Sequence, residues 1–295
     1  MDWPPNSADL HHQGIEVLAL VRCCPHLQER TAVDVGAERG ELAAALRRGG
    51  YERLWAYEAH PENAAELRGA FSEDDAVTVG EIAVSETDGE AMLHLARANG
   101  APTTLFHSLE TFTETTDVSW HDQIAVPRRS LGSLARSGEL PGRVGLVKID
   151  TEGHDLAVVR GMGDLEADVI MVEHWVDLPK SVGRCPWDLG EILAELRPRG
   201  FADFAFIAHR PGADLVQWND GSAETGDWGN LIFIHERVVD RLRPIFQQAA
   251  NEAQFALETA LRVERDAAQE RLTALKQLDE EHRSLADEAD RLRKV

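Results

Sequence analysis

The stretch Thr31-Ala32-Val33-Asp34-Val35-Gly36-Ala37-Glu38-Arg39-Gly40-Glu41 decides how the rest of the chain is read. The β-favouring run Ala32-Val33-Asp34-Val35 stops at Gly36, and Glu41-Leu42-Ala43-Ala44-Ala45-Leu46 opens a strong helical stretch just past Gly40. The order is strand, glycine turn, helix. Such a turn offers backbone N–H groups and a helix N-terminus to a ligand, and its glycines let that ligand approach the main chain.

A dinucleotide site carries G-x-G-x-x-G, whereas this chain has Asp34-x-Gly36-x-x-x-Gly40, with an acid ahead of the first glycine. A carboxylate there repels a pyrophosphate and suits a ligand with an ammonium group, such as the methionine end of S-adenosylmethionine. The next strand, Leu54-Trp55-Ala56-Tyr57, ends in Glu58, at the separation where an acid caps ribose hydroxyls in nucleotide-binding folds. Read without a ligand, Asp34 is a turn residue and Glu58 an acid at a helix N-terminus before Pro61.

Downstream, Glu62 to Phe71 reads as a helix and Ala76 to Val84 as a third strand, which establishes a βαβαβ order. In a doubly wound sheet the strand ends line one edge, so Glu81 and Ile82 fall beside Glu58, where an adenine ring fits. Asp88-Gly89 signals a hairpin turn into the strand Ala91–Leu95. From Ala96 to Asp122 the sequence is polar and turn-rich and reads as a long irregular loop, before a short strand from Gln123 to Pro127. The apolar strand Gly145–Ile149 then delivers Asp150, followed by Glu152, His154 and Asp155, and the strand Asp168–Val172 delivers Glu173 and His174 to the same edge. Asp155 reads as an ordinary helix cap. A helix from Trp187 to Arg197 and strands Phe201–Ile207 and Asn230–Ile234 complete the sheet, with a turn-rich connection from Gly212 to Gly229 between the last two. Ahead of the first strand, residues 9–27 space Leu10, Ile15, Leu18, Leu20 and Val21 as a helix, with His11, His12 and His26 read as filler rather than ligands.

At 295 residues the chain has room for an α/β domain over 1–244 and an appendage over 245–295. The formal charge of −22 argues against nucleic acid and anionic membranes as partners, since both are held by basic patches. Cys23 and Cys24 are adjacent, Cys185 is remote, and no C-x-x-C is available for zinc or redox work. No signal-peptide pattern opens the chain and no long apolar run follows, so a soluble, cytoplasmic protein is expected. From Ile245 onward glycine and proline vanish. Leu257, Leu261, Ala268, Leu275, Leu278, Leu285, Ala289 and Leu292 share one heptad seam, interrupted by Glu264, Arg271 and His282. That pattern predicts a long helix, as a coiled coil that makes a homodimer or docks a partner, or as a single solvated helix.

These segments resemble the FkbM family of class I S-adenosylmethionine-dependent methyltransferases, over about residues 10–236. The resemblance rests on V-D-V-G-A-E-R-G-E, A-Y-E-A-H-P-E-N, E-I-A-V-S, V-K-I-D-T-E-G-H-D-L-A-V-V-R-G, M-V-E-H and G-N-L-I-F-I, in that order. It implies a Rossmann-like, seven-stranded, mostly parallel sheet. It also implies that Asp34, Gly36 and Gly40 surround the methionine part of the cofactor, Glu58 binds the ribose, and Glu81 and Ile82 flank the adenine, with Ala37 and Ala59 also among the cofactor-binding residues and Asp150 near the transferred methyl. The implied activity is O-methylation of a sugar, glycan or secondary-metabolite hydroxyl. Two departures from the family stand out: Ser130-Leu131-Gly132 where an aspartate is common, and His154 where a small or aromatic residue is usual.

Methylating a hydroxyl requires aligning its oxygen with the sulfonium methyl and removing a proton. His154, oriented by Asp150 or Glu152, is the expected base, with His174 as rival. A divalent ion such as magnesium held by Asp150, Glu152 and Glu173 is the less favoured route. The runner-up for the whole chain is a catalytically weak or inactive scaffold acting through its coiled coil.

Overall fold

The computed structural model describes residues 14–209 and 215–293, so His11 and His12 lie outside the described residues. Residues 15–250 make one compact unit, and the chain from Asn251 belongs to a second.

The first unit is built on an eight-stranded sheet. Its strands are β1 (Thr31–Val35), β2 (Arg53–Glu58), β3 (Val77–Glu81), β6 (Arg143–Ile149), β7 (Glu166–Trp175), β8 (Asp203–His209), β9 (Leu215–Trp218) and β10 (Trp228–Ile234). A long hairpin of β4 (Gly89–Ala98) and β5 (Val118–Arg129) is inserted between β3 and β6. Across the sheet the order is β9-β8-β10-β7-β6-β1-β2-β3. Pairing is parallel from β3 through β7, and β10 enters antiparallel between β7 and β8. The doubly wound, mostly parallel sheet expected from the sequence is present, with one strand more than seven. The addition is β9, a short antiparallel edge strand inside the connection read as turns only.

The central strands are buried on both faces, which explains why they read as unbroken apolar runs rather than alternating ones. Val33, Val35, Val147, Ile149, Ile170 and Val172 are all within 1% of full burial. Lys148 is the exception inside β6 and is nevertheless 4% exposed. Helices α1 (Gly14–Cys23), α2 (Glu41–Arg48), α3 (Pro61–Ala70), α4 (Leu131–Ser137), α5 (Asp155–Arg160) and α6 (Leu189–Leu196) join these strands. Pro61 opens α3 where its missing N–H costs nothing, and Asp188 with Glu191 forms a capping box on α6.

Two readings of the middle of the chain change. The strand expected over 76–84 is split: β3 ends at Glu81, and Ala83–Val84 turns away to pair with β5 in a second, four-stranded sheet. The irregular loop expected from Ala96 to Asp122 is shorter at both ends, because β4 runs on to Ala98 and β5 starts at Val118, with only the two-residue strand Ala101–Pro102 between them. A register shift between Leu95 and Ala96 breaks the alternation that marks a strand in sequence.

The last helix, α7 (Val239–Arg293), begins ahead of the composition change, with Pro244 in its second turn. Leu261, Leu275 and Leu278 of the heptad seam are solvent-exposed. Among the described residues no helix is long and apolar enough to cross a membrane.

Candidate active site

Four strand ends meet at one edge of the sheet. β1 runs into Gly36, whose φ of +71° is left-handed and whose added Cβ would stand 1.8 Å from the Asp150 carbonyl oxygen. Only glycine lets the turns after β1 and β6 approach so closely. The N–H groups of Gly36 and Ala37 both donate to the Tyr57 carbonyl, tying this turn to β2. Gly40, at φ +90°, starts α2.

Glu58 joins the turns after β1 and β2. Its Oε2 accepts from the Glu38 N–H at 2.9 Å and its Oε1 from the His60 N–H at 2.8 Å. Burial pushes its carboxyl up to about 7, against those two donors. Ala59 beside it packs on the small cluster of Ala83, Leu93 and Val126. Glu81 is the register partner of Glu58, but its side chain is exposed and engages Arg68 at 3.0 Å. Ile82 packs against the core.

Asp34 is read from the sequence as a partner for a ligand's ammonium group. The ammonium it meets is the protein's own: Lys148 Nζ lies 3.1 Å from Asp34 Oδ1, and Asp34 is fully buried. Lys148 also sits 3.6 Å from Asp150 Oδ2 and donates to the Gly36 carbonyl at 2.8 Å. Burial works against the Lys148 charge, but Asp34 and Asp150 together outweigh it and hold the ammonium above its ordinary range. Asp34 therefore shapes the glycine turn from beneath, through Lys148. Sequence reasoning passed over Lys148, although a lysine inside an otherwise apolar strand was the available signal.

Beyond β6 and β7, Asp150, Glu152 and Glu173 converge, each offering a carboxylate oxygen within 4.8 Å of the others. Glu152 is held there by a left-handed backbone, φ +53°, followed by Gly153 at φ +90°. Such a conformation in a residue other than glycine costs on the order of 1 kcal/mol and is concentrated at functional sites. Asp155, in the first turn of α5, is fully buried and accepts from the Glu173 N–H at 3.3 Å and from Thr151 Oγ1 at 3.2 Å. Burial, then the charge of Asp150, raises Glu152 to about 8 and Asp155 to about 7, and pushes Glu173 well above the usual carboxylate range. One Glu173 oxygen, Oε2, is buried without a hydrogen-bond partner. The cluster suits an oxygen-seeking divalent ion or a proton shared among acids.

The two histidines differ from expectation. His154 is oriented by Glu110, whose Oε1 is 2.6 Å from Nδ1, and not by Asp150 or Glu152; its Nε2 is 2.8 Å from Ser85 Oγ. Both ring nitrogens are thus engaged by the protein. His174 alternates with Glu173 along β7 and so faces the other side of the sheet. It is 4% exposed, stacked on Trp187 with centroids 5.1 Å apart, and burial lowers its pKa to about 4. The structure does not bring it to the carboxylates. Glu38 and Ser85 stood inside the quoted motifs V-D-V-G-A-E-R-G-E and E-I-A-V-S without being singled out, and Glu110 lay in none.

Residues 34–202 match the family model described as the methyltransferase FkbM domain. No curated protein matches the chain. Among solved structures, the chain is similar to the N-terminal domain of EvdMO1 with SAH bound, at 12% identity and a TM-score of 0.41, covering 79% of this chain and 82% of that one. It is also similar to magnesium protoporphyrin IX methyltransferase from Synechocystis PCC 6803, at 11% identity and 0.40, covering 80% and 86%. A third is precorrin-6y C5,15-methyltransferase from Geobacter metallireducens GS-15, at 12% identity and 0.40, covering 75% and 88%.

Proposed function

This chain belongs to the FkbM methyltransferase family, and we propose that it transfers the methyl group of S-adenosylmethionine to a hydroxyl of a sugar, glycan or related secondary metabolite. The observation that carries the O-directed reading is Glu152, a carboxylate raised to about 8 beside Asp150 and Glu173 at the sheet edge. A base for a hydroxyl proton works best with a pKa near the operating pH, and an ordinary carboxylate is too weak.

The residues present fit the cofactor. Gly36, Ala37 and Gly40 provide a close-approach turn and a helix start, Glu58 offers carboxylate oxygens between two turns, and buried His60 Nδ1 and His107 Nε2 lack partners nearby. When bound, S-adenosylmethionine supplies an electrophilic methyl on a sulfonium. Asp150 and Glu173 hold the acceptor oxygen in line, and Glu152 takes its proton as the oxygen attacks. Lys148 pairs with Asp34 and Asp150 and offsets only part of the repulsion that Asp150 imposes on Glu152 and Glu173.

A second reading follows from the spacing of Asp150, Glu152 and Glu173, which suits one divalent ion of the magnesium class. Those three residues would hold it, and it would lower the pKa of an acceptor hydroxyl. We further propose a cytoplasmic location and, from the exposed Leu261, Leu275 and Leu278 of α7, homodimerisation or docking to a partner. Titrating the protein with S-adenosylhomocysteine by calorimetry, then screening sugar and polyketide hydroxyls for methyl incorporation with and without EDTA, tests both routes. Micromolar binding with EDTA-resistant turnover supports the carboxylate base. Turnover abolished by EDTA and restored by magnesium moves the assignment to the metal, and no binding removes the proposal.

A further inference from the structure

The segment from Thr103 to Glu110, between β4 and β5, is pinned to the turns that follow β1, β2 and β6. After β1, Glu38 Oε1 accepts from Thr104 Oγ1 at 2.8 Å. After β2, Asn63 Nδ2 donates to the Thr104 carbonyl at 3.0 Å, and His60 stacks on His107 with centroids 4.4 Å apart. After β6, Glu152 accepts twice: its Oε1 from the Phe106 N–H at 3.3 Å and its carbonyl from Ser108 Oγ at 2.8 Å.

The last anchor is the shortest. Glu110 Oε1 accepts from His154 Nδ1–H at 2.6 Å, and with the proton on Nδ1 the opposite nitrogen accepts from Ser85 Oγ at 2.8 Å. Ser85 is 3% exposed and follows the short strand Ala83–Val84, so its hydroxyl is a fixed point. Phe106, at φ +65°, and Glu152, at φ +53°, are both left-handed and share one hydrogen bond, so the strain on each side is held by the contact between them.

A strap tied to three successive strand-end turns closes whatever those turns hold. We infer that Thr103–Glu110 is the outer wall of the cofactor pocket and that Glu110 and His154 are its latch, positioning residues that control cofactor release and take no proton from the acceptor. This inference rests on the cofactor assignment proposed above. It explains why neither ring nitrogen of His154 is open. It also explains the otherwise unpartnered His60 Nδ1 and His107 Nε2, which the strap brings together next to Glu58. Burial lowers both imidazoles, His107 to about 4, which disfavours a positive charge where they would meet a nucleoside.

Release of S-adenosylhomocysteine, followed by stopped-flow tryptophan fluorescence, tests the latch without knowledge of the acceptor. Glu110→Ala is expected to speed release at least tenfold with Tm unchanged, and Glu110→Gln, which can still accept from Nδ1, to restore most of the slow release. Met92→Ala, at an exposed position on β4 outside the segment, is expected to behave as the parent protein. If Glu110→Ala unfolds, Thr104→Val severs the separate anchor at Glu38 and gives the same reading. Binding of S-adenosylhomocysteine with release unaffected in Glu110→Ala, or in Thr104→Val, overturns the latch while leaving the cofactor assignment standing. No binding by the parent protein overturns the cofactor assignment, and the latch with it.

Discussion

Asp34 and Lys148 are register partners on adjacent parallel strands, and their side chains meet at 3.1 Å with both residues at least 96% buried. Each desolvated charge depends on the other. Removing one partner of a buried pair typically costs about 3–5 kcal/mol, because the survivor is left uncompensated. Lys148→Met is therefore expected to lose roughly that much stability in urea denaturation, and Asp34→Asn added to it to recover a large part. A Lys148→Met protein within about 1 kcal/mol of the parent would show that the pair does not carry the turn.

Glu152→Gln keeps the shape and the Phe106 N–H contact but removes the base. Turnover on an identified acceptor is expected to fall by about 10²–10⁴. S-adenosylhomocysteine affinity is expected to stay within a few-fold, since Glu152 is assigned to the acceptor side. With the carboxylate form required and its pKa near 8, the parent rate rises with pH up to about 8 and then levels. A flat profile between pH 6 and 9 counts against Glu152.

Stability should move the opposite way with pH. Glu152 is raised from 4.5 to about 8 and Asp155 from 3.8 to about 7, so the native state binds more protons than the unfolded chain between about pH 4 and 8. Stability linked to these groups is present at low pH and lost as pH climbs through their folded values. The ligand-free protein should melt several degrees lower at pH 8.5 than at pH 6, and Glu173→Gln should flatten that slope by removing a repelling carboxylate. Equal Tm values at the two pH values in the parent would refute the mutual repulsion.

The sheet was legible because each central strand is a buried apolar run ending in a turn residue, and burial on both faces writes itself directly into composition. The strand-end acids were legible for the same reason: Asp150 and Glu173 interrupt apolar runs. Which acid touches a ligand was not legible. Asp34 and Glu58 look alike as acids at consecutive strand ends, yet Asp34 lies beside Lys148 under the turn while Glu58 bridges two backbone N–H groups. That difference depends on a lysine 114 positions away from Asp34 along the chain, at its register position on β6. The strap was hidden for a related reason. Thr104, Ser108 and Glu110 are ordinary loop residues, and their partners Glu38, Glu152 and His154 are set by tertiary closure rather than local pattern.

Glu58 supplies the sharpest test of the cofactor region, because its two oxygens each already accept one backbone N–H and retain lone pairs for a ribose diol. Glu58→Ala removes the acceptors and unties the turns after β1 and β2, so S-adenosylhomocysteine affinity should fall by at least a hundredfold. Glu58→Gln keeps one accepting oxygen but turns the other into a donor facing a backbone N–H, so an intermediate loss is expected. Because burial raises this carboxyl to about 7, affinity in the parent should strengthen as pH rises from 6 to 8, and Glu58→Gln should erase that dependence. Titrations at three pH values separate the outcomes: a pH-dependent parent with a pH-independent Glu58→Gln variant assigns the ribose contact to Glu58, whereas parallel curves for the two proteins place it elsewhere.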